Sequence, residues 1–194
     1  MGELASYRFS DFILFSQAAY YRQFELYNHA IWPLHIVAII LALLIIYLLW
    51  KKPGLAGRLI PAVLVVSWIW VAWAFLYQRF YQIHVVANWY AFIFILQAGL
   101  TSWYGIINKG FTHSVESQIR KNIGFVLVIF SVIVFPFITL MTGRSWLQFE
   151  MFALAPDPTV LATLGILLLY KVPKALYIIP LSWILLSAIT LSVM

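Results

Sequence analysis

Five stretches of the chain run about twenty residues with scarcely a polar side chain: roughly Ile31 to Trp50, Leu59 to Gln78, Val85 to Ile107, Ile123 to Met141 and Ala175 to Met194. A hydrocarbon core about 30 Å thick takes about 20 helical residues to cross. Each stretch is too long and too uniformly apolar for a strand, so each is predicted as a membrane-spanning helix. A sixth stretch, between Pro158 and Tyr170, is shorter. At about 1.5 Å per residue, Thr159 to Tyr170 reaches only ~18 Å.

The expected fold is therefore all-α: a polytopic membrane bundle of six transmembrane helices with a short fifth helix. Ahead of it, Ser16 is placed to cap an amphipathic helix running through Tyr20, Phe24 and Tyr27 along the interface, with Pro33 kinking the continuation into the bilayer. No domain boundary, repeat or low-complexity segment stands out. The chain reads as one domain over 1–194, with residues 1–30 forming the interfacial region and 31–194 the bundle.

Composition sharpens this picture. Hydrophobic residues fill 64% of the 194 positions and charged residues 9%, against about 25% charge in a soluble domain. The net charge of +6 is not read as a nucleic-acid signal, because the basic residues sit in short loops between apolar runs. Lys51, Lys52, Arg58, Lys109, Arg120, Lys121, Lys171 and Lys174 fall on one side, and only Arg8, Arg22, Arg79 and Arg144 on the other. Positive loops stay in the cytoplasm, so both termini are expected outside. Five of the six acidic residues, Glu3, Asp11, Glu25, Glu150 and Asp157, share that outer side. Phe12 to Phe15 is too short an apolar stretch for a cleaved signal, and Met1 is expected to remain. With no cysteine, disulfides, thiolate metal sites, iron–sulfur clusters and thiol nucleophiles are excluded.

The candidate chemistry gathers at the outer helix ends. Glu25, Asn28, Trp32 and His35 are spaced for one helical stripe, and such polar groups belong against protein or water rather than lipid. They either tie neighbouring helices together or hold a ligand. Trp70, Trp73 and Tyr77 mark one face of the second crossing, as an interfacial aromatic belt or as a surface for a cation or flat ligand. Arg79, His84 and Asn88 follow in the next outer turn. Gln97 lies deeper and is read as packing glue between helices.

The short fifth run draws the loop Ala155-Pro156-Asp157-Pro158 below the outer surface, where irregular backbone is tolerated only against protein or water. Asp157 is placed as N-cap and Pro158 as the first helical residue. Asp157 either caps alone or contributes a functional carboxylate to a cavity. Arg144 and Glu150, in the same loop, are positioned to pair with Asp157 and Glu25.

Glu25-Leu26-Tyr27-Asn28 with Trp32-Pro33, the Trp68-x-Trp70 run, and Pro156-Asp157-Pro158-Thr159 with Thr163-Leu164-Gly165 together carry a resemblance. Over nearly all the chain after residue 10 it resembles a bacterial family of small multi-spanning membrane proteins of unknown function. The resemblance supports the fold and the positions of the outer motifs, and the expected location is a bacterial inner membrane. The family pattern has Cys between the two prolines and His after the glycine, where this chain has Asp157 and Arg144. No thiol–imidazole site is carried over, and no activity is implied.

Three classes of function remain. The first is a protein that binds or transports a small molecule or ion through an outward-facing cavity: an anion at Asp157 to Thr159 with Arg79 and Arg144, or a cation at Glu25, Glu150 and Asp157. In size it is similar to the small substrate-binding components of vitamin importers, without a shared motif. The second is an accessory subunit, or a homo-oligomer, docking within a larger membrane complex. The third is a metal or haem protein using His29, His35 or His84, whose spacing defines no coordination geometry. Catalysis has the weakest support, since no phosphate loop or nucleophile elbow is present. No cofactor is indicated by the sequence.

Overall fold

Residues 16–51, 53–112 and 114–193 are described by the structure, a computed structural model. Glu3, Arg8, Asp11, Lys52, Met1 and the Phe12–Phe15 stretch lie outside them. The architecture is all-helical: the described residues contain no strand, only an isolated bridge between Ser114 and Tyr170.

Helix α1 (Gln17–Ala30) starts where Ser16 accepts the Ala19 N–H at 3.2 Å. It buries Gln23, Phe24, Tyr27 and Asn28 on the protein. Rather than kinking onward, the chain breaks at Ile31–Pro33, where the Trp32–Pro33 peptide is cis, and α2 (Leu34–Lys51) begins as a separate helix. Proline lacks the N–H that a continuous helix would need.

Next come α3 (Pro53–Trp70), which passes into a π-helical stretch at Val71–Tyr77, and α4 (Ala87–Thr101), which does the same at Ser102–Ile107. Then α5 (Gln118–Ile129) runs through a π turn, Phe130–Val134, into α6 (Phe135–Met141). The chain closes with α7 (Pro156–Leu169) and α8 (Ala175–Val193). Five of these segments are long and apolar enough to cross a membrane: Leu34–Lys51, Gly54–Gln82, Ala87–Ile107, Gln118–Thr139 and Ala175–Val193. The expected sixth, α7, is apolar but has only 14 residues, about 21 Å of helix.

This short helix is the most enclosed element, with twelve of its fourteen residues buried. It packs closely on α5 because glycines meet: a Cβ on Gly124 would lie 2.7 Å from the Gly165 carbonyl oxygen, and one on Gly165 2.8 Å from that of Gly124. Small residues let helix backbones approach where no hydrophobic effect drives them together. On its other flank, the Trp68 indole donates to Thr163 Oγ1 at 2.9 Å, and Thr163 donates to the Thr159 carbonyl at 2.7 Å. Ser131 donates to the Pro158 carbonyl. Gln97 donates to the Leu176 carbonyl at 3.1 Å, so the deep amide bridges α4 and α8.

Candidate functional site

The loop between α6 and α7 arranges most of the polar residues singled out at this end of the bundle. A single 3₁₀ turn at Trp146–Gln148 opens it, held by Ser145 and Gln148 capping each other. The chain then descends through Met151–Ala155. Ala153 takes a left-handed φ of 68°, uncommon for a residue with a Cβ. Its N–H is held at 3.0 Å by Thr159 Oγ1, which itself donates to the Ala155 carbonyl at 2.7 Å. Thr159 therefore fastens the turn before α7. The Leu154 carbonyl accepts from Tyr27 Oη at 2.9 Å, and that oxygen accepts from the Trp70 indole at 2.9 Å. Residues 152–160 are all buried. The loop is thus enclosed by protein, with hollows of about 100 Å³ beside Ala153 and Leu154 and about 270 Å³ beside Met151 and Phe152.

Asp157 differs from expectation in a way that matters. Ala155 is the N-cap and Pro156 the first helical residue, so the Asp157 side chain points away from the helix start. Trp183 Nε1 donates to its Oδ1 at 2.7 Å, and Ser187 Oγ donates to its Oδ2 at 2.8 Å. The carboxylate joins α7 to α8 and caps nothing.

Arg144 and Glu150 pair with one another rather than with Asp157 and Glu25. Arg144 Nη1 donates to Glu150 Oε1 at 3.0 Å, and Nη2 donates to the Gln148 carbonyl at 2.7 Å. The guanidinium lies 3.9 Å from the centre of the Tyr21 ring. Glu150 is only 6% exposed, and its Oε2 and Arg144 Nε have no partner among the described residues. Burial, reinforced by the Asp157 charge and opposed by Arg144, pushes the Glu150 carboxyl up to about 7. The Tyr20 phenol is raised by burial and then by Glu150 and Asp157, which places α1 against the same charges. Glu25 is instead tied to Arg22.

The Glu25–His35 stripe is split by the turn at Pro33. Asn28 is buried, donating to the Leu147 and Phe149 carbonyls at 2.8 and 2.9 Å, and His35 Nε2 lies 3.3 Å from its Oδ1. Trp32 is 68% exposed. Trp70 is half-buried on Tyr27, whereas Trp73, Tyr77, Asn88 and His29 are exposed and Arg79 is half-buried. Trp70 meets Trp73 edge-on, with ring centroids 5.7 Å apart, and Trp73 and Tyr77 belong to the π-helical stretch Val71–Tyr77. Among the described residues no three His, Asp or Glu side chains come together to hold a metal.

His84 lines a cavity of about 200 Å³ at this end of the bundle. Its walls are Tyr20 of α1, Phe80, Tyr90 of α4, and Trp183, Ser187 and Thr190 of α8. Two of these, Trp183 and Ser187, are the donors to Asp157. The Trp183 ring stands edge-on to Tyr90 and Phe94, with centroids 5.6 and 4.8 Å apart. Burial holds the His84 imidazole below its ordinary pKa, and hence neutral at pH 7. Sequence reasoning missed Tyr20, Trp183 and Ser187. The signal was present in Trp183, Ser187 and Thr190, which share one face of α8 at helical spacing inside an apolar run.

The structure thus defines an all-α protein whose helices have the length and composition of membrane spans, with a buried charged cluster beside an aromatic pocket at one end. The chain belongs to the Family of unknown function (DUF6064), which it matches over residues 17–193. No curated protein and no solved structure matches it.

Proposed function

We propose that this is a multi-pass protein of the bacterial inner membrane, termini outward, that binds a small organic cation in the outer-face pocket. The orientation is supported by the basic residues, which favour the opposite side. The observation that carries the ligand reading is Asp157, whose two hydrogen-bond donors, Trp183 and Ser187, are themselves pocket walls.

Charge and shape favour a cation over an anion. With both carboxyls ionised, Arg144, Glu150 and Asp157 leave one negative charge behind the wall, and the neutral His84 does not oppose a positive guest. Aromatic faces attract cations, by about 0.5–2 kcal/mol each. An anion would look to the first turn of α7, but Pro156 and Pro158 have no N–H to offer there. About 200 Å³ is below the usual size of a drug-binding pocket, which suits a short alkylammonium.

The test is tetramethylammonium binding to the purified protein in nanodiscs, followed by calorimetry and indole fluorescence, against an uncharged tert-butyl alcohol of similar shape. Saturable binding of the cation is expected, with Asp157→Asn weakening it by about tenfold, or ~1.4 kcal/mol. Equal affinity for the neutral molecule, or no saturable binding, would sink the reading.

A further inference from the structure

The charged cluster behind the pocket is unbalanced in a way that selects one of its members. Of the four acidic residues in the described segments, the half-buried Glu25 is tied to Arg22 and the exposed Glu116 to Lys171. Among the described residues only Glu150 and Asp157 are buried acids, and Arg144 is the cation that acts on both. Burying an uncompensated charge is costly, and the group tends to neutralise instead. Asp157 has a neutral donor on each oxygen, an arrangement that supports the anion. Among the described residues Glu150 has one donor on Oε1 and none on Oε2, so its pair with Arg144 is single-bonded rather than fork-to-fork.

We propose that Glu150 is a proton-binding site, holding the single proton that neutralises the buried Arg144–Glu150–Asp157 cluster. The groups that face it are Arg144 and the Tyr21 ring beneath it, Asp157 on α7, and the Tyr20 phenol of α1, which shares the field of both carboxyls. Burial raises the Tyr20 phenol, which stays neutral through physiological pH, so burial, Asp157 and Arg144 set the proton's affinity. Protonation removes one negative charge from the cluster and a guest cation supplies one positive charge, so proton and cation compete. That last step rests on the pocket reading, whereas the proton site does not.

Infrared titration of the full chain in lipid tests the site through the carbonyl stretch of a protonated carboxyl, which vanishes on ionisation. A band that bleaches with a midpoint of about 7 is expected. It should be absent in Glu150→Gln and, in Asp157→Asn, retained with its midpoint moved down, because a repelling charge has gone. A band that persists in Glu150→Gln, or none at any pH in the wild type, overturns the proposal. Should Glu150→Gln fail to fold, the wild type and Asp157→Asn decide alone: a midpoint that does not move, or moves up, overturns it.

Stability gives an independent readout. Between about pH 4.5 and 7 the folded protein holds more protons than the unfolded chain, so stability falls as pH rises through that window and levels off above it. Glu150→Gln should flatten the slope. Tetramethylammonium should lower the infrared midpoint. Failure of that cation to bind overturns the pocket reading and leaves the titration to judge the proton site, so the two failures are distinguishable.

Discussion

Helices α7 and α8 are similar in apolar content and opposite in their surroundings. In α7 twelve of fourteen residues are buried in protein, while in α8 the buried residues are Leu176 and Pro180 out of nineteen. One is solvated by the bundle and the other mainly by what lies outside it. The polar groups sort accordingly. Asp157, Thr159 and Thr163 on α7 each find a protein partner, and α8 turns Trp183 and Ser187 inward to meet Asp157, leaving Leu181 and Leu185 exposed. An apolar run thus specifies a helix that avoids water, while its neighbours decide whether protein or lipid replaces the water.

The sharpest break in that contrast is Gly165→Leu, which puts a side chain where a Cβ already meets the Gly124 carbonyl at 2.8 Å. A loss of about 3 kcal/mol, the upper end of overpacking costs, is expected in reversible unfolding in mixed micelles, with loss of a monodisperse species as its coarse sign. Asp157→Ala should cost less, about 1–2 kcal/mol, by leaving the Trp183 indole and the Ser187 hydroxyl without their acceptor. Trp183 fluorescence would report α8 loosening from α7, and Asp157→Asn, which keeps one acceptor, should fall between that variant and the wild type. Least affected is Leu185→Ala on the exposed face of α8, where lipid tails are as apolar as the side chain removed and less than about 0.5 kcal/mol should be lost. A larger loss there, matched by a change in oligomeric state, would show that α8 faces a second copy or another subunit.

Much of the fold was legible because runs of some twenty apolar residues have few alternatives to a helix. The Ser16 cap, the packing role of Gln97 and the shortness of α7 follow from local chemistry. The site was less legible. Glu25, Asn28, Trp32 and His35 share a helical spacing, yet the chain turns at Ile31–Pro33, which leaves Trp32 exposed while His35 Nε2 stays 3.3 Å from Asn28 Oδ1. Asp157 before Pro158 has the form of a cap, but the helix begins at Pro156 and the carboxylate turns to α8, 26 and 30 residues away in sequence. Arg144 had two acidic candidates and took a third pairing with Glu150, six residues on, across the loop's own turn at Trp146–Gln148.

By itself the sequence determined a helical, membrane-suited chain, since the cost of exposing apolar side chains to water and unpaired peptide groups to hydrocarbon depends only on local composition and length. Which carboxylate meets which donor, and whether a cavity stands beside it, was decided by the tertiary structure. Those outcomes turn on how closely α5, α7 and α8 approach, and that distance is set jointly by side chains from all three helices.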